Sequence, residues 1–182
     1  MCTAVLIATI FTTLNISCAT GQKNSAPNDT DMNNQLKNGT NIFFENKTIN
    51  ADLNFTSLLQ PVVESNGINR CYINSAITFK QCTFKGKLTG YVTDESGKST
   101  MTYFQKSVAF IDCIFEDDVI LRGAIFSAPA NFQGCSFVKK ADFQESHFYT
   151  DAFFNETKYR EEAYFQNAVI EKKIIFMNSR FE

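Results

Sequence analysis

The sequence has no tryptophan, three prolines, eight glycines and a single histidine in 182 residues. One histidine leaves a zinc site short of nitrogen ligands, and His147 sits beside an inward residue of the repeat described below, so it reads as an outward surface side chain. Six cysteines are present, but none forms the CxxC spacing of zinc or redox motifs. There is no glycine-rich phosphate loop, no Walker-type lysine and no Ser-His-Asp arrangement. The chain is therefore read as a non-enzyme, with no catalytic, metal or cofactor-binding residue to assign and no cofactor. Seventeen basic and 19 acidic residues leave a net charge of -2, so no bulk field draws nucleic acid, and none is expected as a partner. Scarce glycine and proline, with 44% hydrophobic and 14% aromatic residues, argue for a packed core rather than disorder.

What the chain has in quantity is phenylalanine, 19 residues of it. From Phe110 a large apolar residue recurs at steps of five, then six. The series is Phe110, Phe115, Leu121, Phe126, Phe132, Phe137, Phe143, Phe148, Phe154, Tyr159, Phe165, Ile170, Phe176 and Phe181. Neither the three-four spacing of a helix nor a seven-residue coiled-coil period is present. Two residues before each large residue sits a smaller one, such as Ala130, Cys135, Ala141 or Ser146. A spacing of two puts both on one side of an extended strand, and polar residues such as Asp112, Asn131, Asp142 and Glu145 then face out. Strands this short cannot pair within one unit, so they pair with the coil above and below, as a stacked repeat requires. The fold class is all-β, a tightly wound parallel β-helix.

The segments AITFKQCTF, VAFIDCIF, ANFQGCSF and ADFQESHF resemble the pentapeptide-repeat proteins, whose unit is a small residue, a polar residue, a central Leu or Phe and two more polar ones. The resemblance covers residues 77–84 and 108–182, and more loosely 41–55. It implies a quadrilateral, right-handed β-helix with the central residue buried. Here Phe dominates where Leu is commoner, and every second unit carries one extra residue, so a coil takes 22 residues. That register places Asp117-Asp118 beside Lys139-Lys140, and those beside Glu161-Glu162, so opposite charges neighbour one another along one edge; the alternative reading is that these corners are merely solvated. It also stacks Cys113 and Cys135 on adjacent coils. In-register parallel side chains seldom offer the disulfide torsion, so both are read as small core hydrophobes.

Residues 1–18 read as a signal peptide or lipoprotein leader: an apolar run too short to span a bilayer, ending at Ser17-Cys18-Ala19. Cys18 is the candidate lipidation site; cleavage elsewhere and an uncleaved anchor are the alternatives. Residues 19–40, rich in Asn, Asp, Ser and Thr, read as a flexible linker, and residues 41–182 as the β-helix. Within it, residues 56–76 break the register and read as a cap over the exposed end. Residues 85–107 read as a β-hairpin insertion outside the stacked series, because the repeat stops at Phe84 and restarts at Val108. The hairpin is either a tolerated insertion or a recognition arm, with Tyr91, Met101, Tyr103 and Phe104 as contact residues.

The leading functional reading is an exported or envelope-associated structural and binding scaffold. Its partner is an unidentified protein or glycan, and it meets the membrane only through an N-terminal anchor. Two alternatives are a DNA-mimicking, gyrase-interacting protein, which the resemblance allows but which calls for continuous acidic faces, and a polysaccharide-binding or polysaccharide-active β-helix. The last coil, with Phe176 and Phe181 uncovered, also suggests a homodimer through the C-terminal end.

Overall fold

Strand pairing in the computed structural model, which describes residues 29–182, joins each segment to the one a full coil away. The first face runs through Ile42–Glu45, Ile77–Lys80, Val108–Ile111, Ala130–Asn131, Ala152–Phe153 and Ile174–Ile175, all parallel. The second runs from Thr48–Ile49 to Arg180–Phe181 and the third from Leu53–Asn54 to Ala163–Tyr164. The fourth contains Asn69–Ile73, Ser99–Phe104, Ile125–Phe126, His147–Phe148 and Val169–Ile170. Val108 aligns with Ala130, so a coil takes 22 residues (130 minus 108), as the five-six period requires. The fold is a four-sided parallel β-helix, and its all-β class follows from the repeat.

The two step lengths correspond to two kinds of corner. Five-residue steps, from first to second face and from third to fourth, place one residue in the left-handed region: Asp112 (φ 52°), Gly134 (φ 69°) and Glu156 (φ 58°) on one edge, Gly123 (φ 62°), Glu145 (φ 56°) and Asn167 (φ 57°) on the other. In the later coils the turn closes with an i to i+3 bond, as when Cys135 N donates to Phe132 O at 3.2 Å, the pattern of a type II turn. Six-residue steps carry no such residue among those described; the extra residue makes the corner wide enough for ordinary backbone.

The ladder Phe110, Phe115, Phe126, Phe132, Phe137, Phe143, Phe148 and Phe154 is fully buried. Rings on one face stack down the axis: Phe79–Phe110 at 5.4 Å, Phe110–Phe132 at 5.5 Å and Phe132–Phe154 at 5.0 Å. Rings of neighbouring faces meet edge to face, as Phe132–Phe143 do at 5.3 Å, so both favoured aromatic geometries fill one narrow interior. Phe165 and Phe176 are only partly buried, because no described coil lies beyond the last one. The small series fits beneath: Ala130, Cys135, Ala141 and Ala152 have no exposed surface, and Ser146 and Thr157 donate their hydroxyls to Phe143 O (2.7 Å) and Phe154 O (2.8 Å). Asp142 faces out as expected but is buried between neighbouring rungs, its Oδ1 accepting from Gln144 N at 3.0 Å.

Cys82, Cys113 and Cys135 form a column of free thiols, with Cys113 Sγ donating to Phe79 O (3.4 Å) and Cys135 Sγ to Phe110 O (3.1 Å). The neighbouring Cys135 thiol, aided by burial, pushes Cys113 up to about 12, so it stays protonated and unreactive near neutrality. On the edge between second and third faces, Lys139 Nζ lies 2.8 Å from Asp117 Oδ1, the neighbours that the register gives, and Lys87 Nζ, not read from the register, lies 3.1 Å from Asp118 Oδ2. Such exposed pairs, screened by solvent, add little to stability.

Three sequence readings are corrected. Residues 29–37 do not form part of a flexible linker: Asp29–Lys37 is helix α1, and Met32 and Leu36, four apart, bury themselves against the first coil. The segment 56–76 is only partly a cap. Phe55–Leu58 forms a short helix, α2, whose Phe55 meets Phe104 edge to face at 5.1 Å, but Asn69–Ile73 is already a rung of the fourth face. Val62–Val63 lies along the edge of that sheet, exposed, rather than over the core. Nor do residues 85–107 lie outside the stack. Leu88–Thr89 pairs on both sides in the third face, and Ser99–Phe104 pairs with coils on both sides in the fourth. The hairpin proper is Tyr91–Thr93 returning antiparallel on residues 99–101.

Close coil spacing also explains Gly86. A Cβ there would lie 2.7 Å from backbone atoms of Ala51 and Asp52 on the preceding coil. Gly86→Ala is expected to cost about 1–3 kcal/mol, read as a lower denaturant midpoint; an unchanged midpoint would contradict the contact.

Candidate functional site

Both breaks in the regular winding occur at one corner, between the third and fourth faces, where later coils turn in five residues. The strands that follow them, Asn69–Ile73 and Ser99–Phe104, have five and six residues, against two for the rungs below. They overhang the corner, and their overhanging halves are flanked by antiparallel Val62–Val63 and Tyr91–Thr93. The fourth face is thus the broadest, a flat stack widened at one end into a wing.

Alternation along these strands turns Cys71, Ile73, Thr102 and Phe104 inward and Arg70, Tyr72, Met101 and Tyr103 outward. The register continues the outer row down the face as Tyr72, Tyr103, Ile125, His147 and Val169, one residue per coil. Tyr72 and Tyr103 pack at 5.0 Å, and His147 stacks on Tyr149 at 4.1 Å. Tyr149 is 45% exposed and Val169 47%. Tyrosine, methionine and arginine are the residues enriched in protein interfaces, and they concentrate here.

The polar groups around this row are held in place. Arg70, nearly buried, pairs with Glu64 (Nε to Oε1, 3.2 Å) and donates from Nη1 to Gly123 O two coils away at 3.1 Å. Met101 lies over Gly123, where a Cβ would sit 2.6 Å from its Sδ. Tyr72 donates to Glu64 Oε1 at 2.8 Å. The Arg122 guanidinium lies over the Tyr91 ring at 5.8 Å and bonds Glu145 at 2.6 Å. His147 Nε2 is 2.9 Å from Glu171 Oε1. Among the described residues, no group of three or more His, Cys, Asp or Glu side chains is placed to hold a metal ion.

Burial works to raise the Glu64 carboxyl, but the Tyr72 hydroxyl and the Arg70 guanidinium outweigh it and hold the group below its ordinary 4.5. A depressed folded-state value contributes stability above 4.5 that is lost as pH falls through the lower, folded value. Acidification below about 4 is therefore expected to speed amide hydrogen exchange in residues 62–70 before it touches the later coils. Uniform protection down to about pH 3 would remove Glu64 as the fastening of the wing.

Of the residues read from sequence as contacts, Tyr91, Met101 and Tyr103 come together on this face. Phe104 does not; it is a core residue, 1% exposed and stacked on Phe126 at 5.1 Å. It follows an outward tyrosine, and strand alternation sends it in. Tyr72, Ile125, His147, Tyr149 and Val169 were missed, although the 22-residue register puts a large side chain at the outward position before Phe126, Phe148 and Ile170. Cys18, the leader and residues 19–28 lie outside the described residues.

A family model of pentapeptide repeats matches residues 110–158 as nine copies. No curated protein matches the chain, and no solved structure does. Pentapeptide repeats wind as a right-handed β-helix, and the stacked parallel sheets agree with that architecture.

Proposed function

We propose that this pentapeptide-repeat protein is a non-catalytic scaffold, exported or associated with the cell envelope, that docks another macromolecule on its fourth face. The observation that carries the reading is the coincidence on one face of the outward aromatic row and of both insertions. In repeat proteins, insertions per unit often fall on the binding face, and here they broaden the fourth face with ordered strands. Arg70 and Arg122 are held by ion pairs and Tyr72 and Tyr91 by hydrogen bonds, so these side chains lose little freedom on contact.

Docking is tested by Tyr103→Glu, which places a charge in mid-row without touching the core. The native complex in a gentle extract is expected to shrink while the purified variant keeps its dichroism spectrum. A complex of unchanged size would show that the fourth face is not the docking surface. Location is tested by fractionation and mass spectrometry of the mature N-terminus: a diacylglyceryl Cys18 or a cleaved leader supports export, and an entirely cytosolic, uncleaved chain overturns it.

A further inference from the structure

We propose that the occupant of the fourth face is the fourth face of a second copy of this chain, the two rods lying antiparallel; this rests on reading that face as a docking surface. The row Tyr72, Tyr103, Ile125, His147 and Val169 repeats once per coil, so its spacing is the strand separation of a sheet, about 4.8 Å. A partner that touches all five rungs must match that repeat. An extended peptide along the axis presents a side chain on one side about every 6.7 Å, and over four steps it drifts out of register by roughly 8 Å. A helix advances about 5.4 Å per turn and drifts by roughly 2–3 Å. A second stack of the same coils has the same repeat, and two such sheets pack face to face with their strands within about 30° of one another.

The face is also complementary to itself in one orientation. With a two-fold axis at the middle rung, Ile125 meets the partner's Ile125, Tyr103 meets the partner's His147 and Tyr72 meets the partner's Val169, so each tyrosine opposes a smaller side chain. Parallel rods would instead set tyrosine on tyrosine at one end and leave Val169 facing Val169 at the other. Beside Ile125 stand Gly123 and Ser127, both small, which lets the two sheets approach at the centre. Glu145 falls opposite the partner's Met101 and Glu171 opposite the partner's Asn74, so neither of these carboxylates meets another.

Sedimentation equilibrium of the purified full chain is expected to give the mass of two chains. Ile125→Glu, an outward position, should give one chain with unchanged dichroism, whereas Phe181→Lys in the last described coil should leave two. A short bismaleimide should link Ser127→Cys into a covalent dimer above the wild-type background, since antiparallel rods bring this position against its own copy. A monomeric wild type overturns the proposal. So does a dimer that survives Ile125→Glu and is lost in Phe181→Lys, which would be end-to-end pairing. A monomeric wild type whose native complex still shrinks with Tyr103→Glu would remove the second copy alone and leave docking on this face standing.

Discussion

Phe132→Ala is expected to lower stability by about 3–5 kcal/mol, against roughly 5–15 kcal/mol for a whole domain. The ring has no exposed surface and sits between Phe110 and Phe154 along its column, with Phe143 edge-on at 5.3 Å. Neighbouring coils are hydrogen-bonded rung to rung, so the cavity cannot close without moving backbone on both sides. For a chain of this size the loss corresponds to a fall in Tm of about 6–20 °C by calorimetry. His147→Ala removes an outward ring, its stack on Tyr149 and a partly exposed pair with Glu171, and should move Tm by about 2 °C or less. Comparable losses from the two variants would mean that the inward and outward assignments are wrong.

Deletion of residues 86–106 is expected to abolish cooperative folding, contrary to what the interruption of the repeat suggests. The cut removes Leu88–Thr89 and Ser99–Phe104, which are two of the four sides of one coil. Leu88, Thr102 and Phe104 are core residues, and the first coil would lose the strands that its third and fourth sides pair with. Replacing only residues 94–98 by a two-residue Asn-Gly turn keeps every rung, and should leave far-ultraviolet dichroism unchanged and Tm within a few degrees. A soluble deletion variant with native dichroism would show that the second coil is dispensable.

The inward column was legible because a solenoid repeats its environment. Each of Phe110, Phe132 and Phe154 meets the same neighbours one coil away, so one rule of side-chain size and polarity holds down the chain. The charge neighbours were legible for the same reason: Asp117 and Lys139 are 22 residues apart, one coil. The left-handed corners left a weaker trace. Gly123, Gly134, Asn46, Asn167 and Asn178 share a phase two residues after the large position, but Gln81, Glu145 and Glu156 occupy the same conformation and disguise it.

By itself, then, the sequence determined the period, the 22-residue coil, the buried and outward series and hence the parallel β-helix. These are local or nearest-neighbour properties, repeated often enough to be read. Only the tertiary structure decided that Leu88, Phe104 and Ile73 are rungs, that Met32 and Leu36 close the first coil, and that both insertions broaden a single face. An insertion at a corner shifts the phase of everything after it along the chain but not in space. Closing a longer loop costs only slightly more entropy, so the chain returns to the stack wherever the next rung finds its partner. Burial of an isolated pair such as Met32 and Leu36 depends on an apolar end being there to receive it, and that end exists only once the first coil is wound.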